Sequence, residues 1–440
     1  MAPTTRSTTR AAQAAAQAAG QDIPPLYPRP ARRTLTALQR TRNINSGKVS
    51  KTWPITRRNK QSRGIFRDGN TCYRLSVLQS LLHTPKFLNL MLEHNQIAAD
   101  EVITNACTPQ SVHEQNARVQ CIACSMKGII RGYWGRINLD GNGAPRPIPR
   151  PSTQNEADQP LAFRTAFTEF NNWVDFWIRN PNGEPSPTNK KETDDENRDS
   201  DAQHDAHAFL MLLLDGCFRA TSPAGLLWHD KFEGLFRYNP DVLVTCSAPD
   251  CGVRRNVSQP PGSWGITPIH ILQTGTDSIS QALDRHLRTH DWDNSECPTC
   301  NSKNTHQTTE RIEAGPEVFF IHLNLSGQGL KGDIVKIRAA VGLDEDIDLT
   351  GYQLDPSTPL RYTLSSVVLH AGNNLTSGHW VATTTAYGKK CVFLNDSQVR
   401  VEDKAFLLSN PSTVQGSQHN VAILGYTRIH FPKRMLAELA

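Results

Sequence analysis

The apolar residues of this chain change rhythm along its length, and the changes divide it. Residues 1–62 are rich in Thr, Arg, Ala, Gln and Pro and show no apolar periodicity, so a disordered tail is expected there, with ordered sequence starting near Gly64. From Cys72 to Thr84, Leu75, Leu78, Leu81 and Leu82 fall on one helical face, and Pro85 stops the helix. Asp205 to Cys217 predicts a second buried helix. Beyond residue 230 the pattern becomes strand-like, with short runs at 242–246, 253–258 and 307–312 set among cysteines, then Val318–Leu325 as a core strand. Tyr362–His370 alternates at period two. Trp380–Tyr387 and Cys391–Leu394 predict a hairpin about Gly388-Lys389-Lys390, and Val421–Thr427 a last strand. A Pro-rich stretch at 140–160, a charged one at 180–201 and residues 326–360 read as insertions on the surface. No internal repeat is visible. The order of helices first and antiparallel strands later gives an α+β fold.

Composition adds limits. Apolar residues make up 38% of the 440, enough for a sizeable core. No run of 18 apolar residues occurs and the N-terminus lacks a contiguous apolar stretch, so neither a membrane span nor a signal peptide is expected. The net charge of +5 is unevenly distributed. Residues 1–63 hold 13 Lys/Arg against the single acid Asp22, while the rest holds 34 Lys/Arg against 41 Asp/Glu. A basic tail on an acidic body suits weak contact with polyanions, without base reading, or simple solubility.

Ten cysteines in a chain without a secretory signal read as metal ligands or reactive thiols before disulfides. Cys246-x4-Cys251 followed by Cys297-x2-Cys300 fits a four-thiolate structural zinc ribbon, and Cys107, His113, Cys121 and Cys124 form a second candidate set. Cys72 is different. It follows Gly69-Asn70-Thr71 at the entrance of the first predicted helix, where the helix dipole and unpaired backbone N–H groups favour a thiolate and an adjacent oxyanion. A cysteine nucleophile needs an imidazole base. Among fifteen histidines, His379 follows Ser377-Gly378 at a strand start, where a substrate chain could come close.

These residues lie in four blocks that, in order, resemble the ubiquitin-specific proteases. Gly64 to Tyr73 with Ser76, Leu78, Gln79 and Leu82 is similar to the cysteine box of that family. Ala202 to Leu210 resembles its Gln-Asp-Ala helix opening, Tyr362 to Ala382 its histidine box, and Leu394 to Val399 the block of the third catalytic residue. The resemblance implies a papain-like hand, with a helical thumb (63–225), zinc-ribbon fingers (226–310) and an antiparallel-sheet palm (311–432). It implies a thiol-dependent deubiquitinase acting on ubiquitin and ubiquitinated proteins. Cys72 would be the nucleophile, His379 the base, and Asn395 the orienter of the imidazole, with Asp396 supporting or replacing it. Gln203, Asp205, Gly378 and Trp380 are implied as substrate contacts, His370 as structural. No cofactor is expected for catalysis, and zinc at one or both sites is expected to be structural.

The second Cys/His set and the Asn-Asp-Ser-x-Val run also resemble the subgroup that acts on histones within the SAGA coactivator. This implies adaptor subunits and favours the nucleus over the cytoplasm. Several positions depart from the family pattern. Arg67 stands where an Asn commonly donates to the oxyanion, Leu75 where Asn is frequent, Ala208 where Glu is usual, His204 for Gln and Trp380 for Tyr. Arg67 and Ala208 keep a second reading open, a weakly active or inactive adaptor of the same fold that binds ubiquitin.

Overall fold

The computed structural model describes residues 36–54, 62–94, 119–134, 161–179, 205–221, 226–257 and most of 264–430, with isolated positions between 95 and 118. The stretches 140–160 and 180–201 and the hairpin tip at Gly388 lie outside the described residues.

The first half is helical: α1 (Ala37–Gly47), α2 (Cys72–Leu82), α3 (Pro85–Glu93), a minimal ladder of β1 (Gln96–Ile97) and β2 (Ile103–Thr104), α4 (Ile122–Trp134), α5 (Leu161–Arg179), α6 (Ala206–Phe218) and α7 (Leu226–Phe236). Strands dominate afterwards. They are β3 (Asn239–Cys246), β4 (Arg254–Val257), β5 (Ile269–His270) and β6 (Thr276–Ser278), then α8 (Ile279–Leu287), β7 (His290–Trp292), β8 (His306–Ala314), β9 (Val318–Asn324), β10 (Ser326–Gln328), β11 (Ile334–Lys336), β12 (Ala340–Gly342) and β13 (Asp346–Asp348). The chain closes with β14 (Arg361–Ala371), β15 (His379–Thr385), β16 (Lys390–Asn395), β17 (Gln398–Asp403), the short α9 (Ala405–Leu408) and β18 (His419–Arg428).

The large sheet runs β17-β16-β15-β14-β18-β9-β5, with β13 also on β14, and a four-stranded sheet runs β4-β3-β8-β7. The central strands β9, β14 and β18 are buried for most of their length; β9 and β18 carry apolar runs, Val318–Ile321 and Val421–Leu424, while β14 alternates in its first half. The edge strand β17, Gln-Val-Arg-Val-Glu-Asp, is largely exposed and charged, which blunts the sheet edge. Helix α2 is wedged between the helices and the sheet, and every one of its residues is buried. Its polar members are satisfied inside. Ser80 donates to Ser366 on β14 at 2.7 Å, Gln79 donates to the Arg63 carbonyl at 2.8 Å, and Arg74 pairs with Asp175 on α5 at 2.6 Å. One apolar core joins helices and large sheet. No described helix is long and apolar enough to cross a membrane.

Three parts of the sequence reading are corrected. Residues 37–47 of the expected disordered tail form α1, which packs on α7 and β8. Its buried face is Gln39, Arg42, Asn45 and Ser46, so apolar periodicity could not reveal it. Gly315 N donates to Gln39 Oε1 at 2.8 Å, and Arg42 donates to the Arg237 carbonyl and to Asn239 Oδ1. Buried polar groups are tolerable with such partners. Helix α7, expected within the fingers, packs instead on α1, α3 and α6, with Trp228 Nε1 donating to the Cys217 carbonyl at 3.1 Å. The stretch 326–360 is woven into the fold: β12 pairs with β6 and β13 with β14, and Ile347 and Leu349 are buried. Strands of three residues are too short to show a period.

A buried carboxylate ties the elements together. Glu317, 1% exposed, meets Lys86 of α3 at 2.8 Å, His430 at 2.6 Å and Arg428 at 3.7 Å, and Ser46 of α1 donates to it at 3.3 Å. Burial alone would raise its pKa, but the hydrogen bond from His430 and the charges of Lys86 and Arg428 win and hold it at about 2.

Candidate active site

Cys72 is the first residue of α2, and Gly69 with φ of +54° makes the turn that delivers it. Starting a helix there leaves the earliest backbone N–H groups without an intrahelical acceptor and puts the positive end of the dipole beside the sulfur. His379 opens β15, held opposite Ala371 by the β14–β15 ladder. Asn395 ends β16 and pairs with Gln398 across a two-residue turn, Asp396-Ser397, in which Asp396 adopts φ of +49°. Asp is among the few non-glycine residues that accept this left-handed conformation.

The three elements bring the predicted chemistry together. His379 Nε2 lies 2.7 Å from Asn395 Oδ1 and 3.7 Å from Asp396 Oδ2. Asn395 is therefore the direct partner of the ring, and Asp396 stands behind it. The hydrogen bond with Cys72 raises the His379 pKa above the ordinary imidazole value, burial opposes the rise, and Asn395 and the Asp396 charge add to it. Asp396 is itself pushed up by burial, against the pull of His379 and Arg67. With Nε2 bonded to Asn395, Nδ1 is the nitrogen left for the sulfur. A thiol at a helix start, an imidazole and an amide oxygen that fixes the ring are the parts that nucleophilic catalysis by a cysteine requires.

Gly64 was missed as a functional position. A Cβ there would fall 2.0 Å from the Ser397 carbonyl oxygen, and its neighbour Ile65 donates from N to the Asp396 carbonyl at 2.9 Å. The segment leading to Cys72 thus lies flat on the turn beside Asn395. A glycine eight residues before a candidate nucleophile gives no hint of this unless the fold is known.

The expected substrate contacts have mixed placements. Asp205 is exposed and caps α6, its Oδ1 accepting from Ala208 N at 2.8 Å. Gly378 is required by packing, since a Cβ would meet the Ala371 carbonyl at 2.3 Å and His370 Nε2 at 2.5 Å. Trp380 is only 5% exposed, with its ring on that of His370 at 4.6 Å, so it supports the strand from inside and is not open to a ligand. Burial first, then the Lys336 charge, pushes His370 down to about 4, consistent with a neutral structural histidine. Gln203 lies outside the described residues.

Both cysteine clusters assemble. Cys246 and Cys300 sulfurs are 3.8 Å apart, and Cys251 and Cys297 3.7 Å. Zinc–sulfur bonds of about 2.3 Å in a tetrahedron separate the sulfurs by about 3.8 Å, so the set fits zinc without rearrangement. In the second cluster the fourth member is His94. Its Nε2 is 3.1 Å from Cys107 Sγ and 3.4 Å from Cys121 Sγ, and Cys107 and Cys124 are 3.3 Å apart. His113, expected in this set, lies outside the described residues. The set is complete with His94, which sits just past the end of α3, 13 residues from Cys107, at a spacing that matches no zinc motif. The seven cysteines of the two clusters are free thiols, which leaves their sulfurs available to a metal.

A sequence model of the ubiquitin carboxyl-terminal hydrolase family matches residues 63–426. Similar curated proteins include ubiquitin carboxyl-terminal hydrolase 10 of Saccharomyces cerevisiae, 20% identical over 90% of this chain and 51% of its own length. Another is ubiquitin carboxyl-terminal hydrolase 17-like protein A of Mus musculus, 23% identical over 80% of this chain and 55% of its own. The chain spans about half the length of these curated relatives. Among solved structures, the SAGA Ubp8/Sgf11/Sus1/Sgf73 DUB module bound to ubiquitin aldehyde matches with a TM-score of 0.59 at 18% identity, covering 88% of this chain and 73% of that one. The same module bound to monoubiquitin gives 0.58 at 18% identity, with the same coverage of 88% and 73%. The structural likeness shows the fold, and the family match over residues 63–426 shows that the chain belongs to the ubiquitin carboxyl-terminal hydrolase family.

Proposed function

We propose that the chain is a thiol-dependent deubiquitinase, hydrolysing the isopeptide bond between the C-terminal glycine of ubiquitin and a substrate lysine. The observation that carries this reading is the meeting of Cys72, His379 and Asn395 from α2, β15 and β16, with Nε2 of the ring 2.7 Å from the Asn395 oxygen. Asn395 fixes the ring so that Nδ1 faces the sulfur. Nδ1 takes the thiol proton, the sulfur adds to the glycine carbonyl, and the oxyanion forms beside the start of α2. The imidazolium then protonates the leaving lysine amine, and a water molecule activated by the neutral ring cleaves the thioester. Asn395 offers a dipole where a carboxylate would offer a charge, and Asp396 supplies that charge from 3.7 Å.

Cys246, Cys251, Cys297 and Cys300 would hold one zinc ion, tying the β3–β4 turn to the segment before β8, and His94, Cys107, Cys121 and Cys124 a second, tying the end of α3 to the start of α4. Zinc in such four-ligand sites supplies folding energy and no chemistry. The likeness to the SAGA module supports a nuclear setting with adaptor subunits.

Turnover of ubiquitin carrying a fluorogenic C-terminal amide tests the reading. Wild-type chain is expected to release the fluorophore and to be labelled by a ubiquitin vinyl electrophile, and Cys72→Ala to do neither. Ubiquitin binding without turnover or labelling in the wild type would support the adaptor reading instead.

A further inference from the structure

Arg67 stands close to the reacting atoms. Its Nη1 lies 3.3 Å from His379 Nδ1 and 3.7 Å from Asp396 Oδ2, while Nε donates to the Gly69 carbonyl at 2.8 Å. The side chain is 42% exposed, so its guanidinium lies at the mouth of the site, tethered by two neighbours. A guanidinium has donors only and keeps its charge at every relevant pH. The nitrogen facing it must then be an acceptor. Nδ1 is therefore unprotonated in this arrangement, and Nε2 carries the hydrogen it gives to Asn395 Oδ1. Nδ1 is also the atom that must accept the Cys72 proton.

We propose that Arg67 is a catalytic residue that changes partner as the proton moves, donating to His379 Nδ1 before attack and to the carbonyl oxygen of the scissile bond after it. The inference deepens the deubiquitinase reading and rests on it. When Nδ1 receives the thiol proton it loses its lone pair, and ring and guanidinium become like charges at contact. In the same step the sulfur–carbon bond forms and the carbonyl π pair moves onto oxygen, creating an anion next to the displaced cation. When the tetrahedral adduct collapses, the pair returns to the carbonyl, the carbon–nitrogen bond breaks, and the amine leaves with the proton from Nδ1. Nδ1 can then accept from Arg67 again. Among the described residues, the other titratable groups that act on the His379 ring are Cys72 on α2, His370 on β14, His419 on β18 and Asp396 after β16. Arg67 is the permanent cation among them.

The experiment compares wild type, Arg67→Ala and Arg67→Lys as full chains. It uses kcat and KM for the fluorogenic ubiquitin amide between pH 5 and 10, and the pH dependence of Cys72 alkylation by iodoacetamide, read by mass on the Cys72 peptide. Arg67→Ala is expected to lower kcat by a factor on the order of 10–1000 with KM little changed, as for an interaction made only in the transition state. Both limbs of its pH profile should move to higher pH, because the lost charge no longer favours the thiolate or opposes the imidazolium. Arg67→Lys should return the limbs towards wild type, since it restores the charge. A kcat for Arg67→Ala at or above wild type would mean that Arg67 only obstructs Nδ1, and a lower kcat with unmoved limbs would mean a structural role; either overturns the proposal. If the wild type turns over no ubiquitin, the functional reading fails on its own, and an alkylation midpoint that does not rise in Arg67→Ala still refutes the charge effect.

Discussion

Replacing Gly64 by Ala adds one methyl group and should nearly silence the site. The added Cβ would lie 2.0 Å from the Ser397 oxygen and 2.2 Å from its carbonyl carbon, where contacts below 3.0 Å essentially never occur. The obstacle is backbone inside a tight turn, so no side-chain rotation relieves it. The strip 64–72 must lift from the Asp396-Ser397 turn by about 1 Å, and a misplacement of that size at a reacting geometry costs about 100-fold in rate. The lift also breaks the 2.9 Å bond from Ile65 N to the Asp396 carbonyl. Strain of this kind destabilises by ~1–3 kcal/mol. The assay is kcat/KM on the fluorogenic ubiquitin amide together with a melting curve, with Gly351→Ala as control, since a Cβ there meets nothing within 4 Å. A Gly64→Ala enzyme within threefold of wild type and melting with it would refute the idea that this contact sets the distance between sulfur and imidazole.

Two further outcomes follow from buried polar clusters. Glu317→Gln leaves Lys86 and Arg428 without their buried counter-charge and should cost ~3–5 kcal/mol in urea denaturation. Because Glu317 falls from 4.5 to about 2 on folding, its contribution is complete above pH 4.5 and lost as pH drops towards 2. The variant should therefore lose less stability than wild type over that acid range, and parallel curves would contradict the assignment. Acid-released metal, counted with a chromophoric chelator, should give two zinc ions per wild-type chain and one for Cys300→Ser, with His94→Ala weakening the other site. Folded wild type that releases no metal would dismiss both centres.

Residue order alone carried a good deal. The helix after Cys72, the capped helix after Asp205, the core strands and the cysteine ribbon all announce themselves, because each rests on local physics: a period of 3.6 or two, a helix start, or a pair of thiols close in sequence. The residues proposed as a triad could be named from the sequence because four blocks kept a family order. What stayed hidden depends on partners far along the chain. Helix α1 buries Gln39 and Arg42 only because Gly315, Arg237 and Asn239 receive them, and His94 becomes a candidate ligand only because α3 ends beside Cys107 and Cys121. The choice of Asn395 over Asp396 as direct partner is a difference between 2.7 and 3.7 Å, fixed by the register of β16 and β17. Arg67 reaches Nδ1 because a turn places residue 67 opposite residue 379. Periodicity and spacing report what a residue needs from its neighbours in sequence; hydrogen bonds and ion pairs between distant segments exist only once folding has chosen which segments meet.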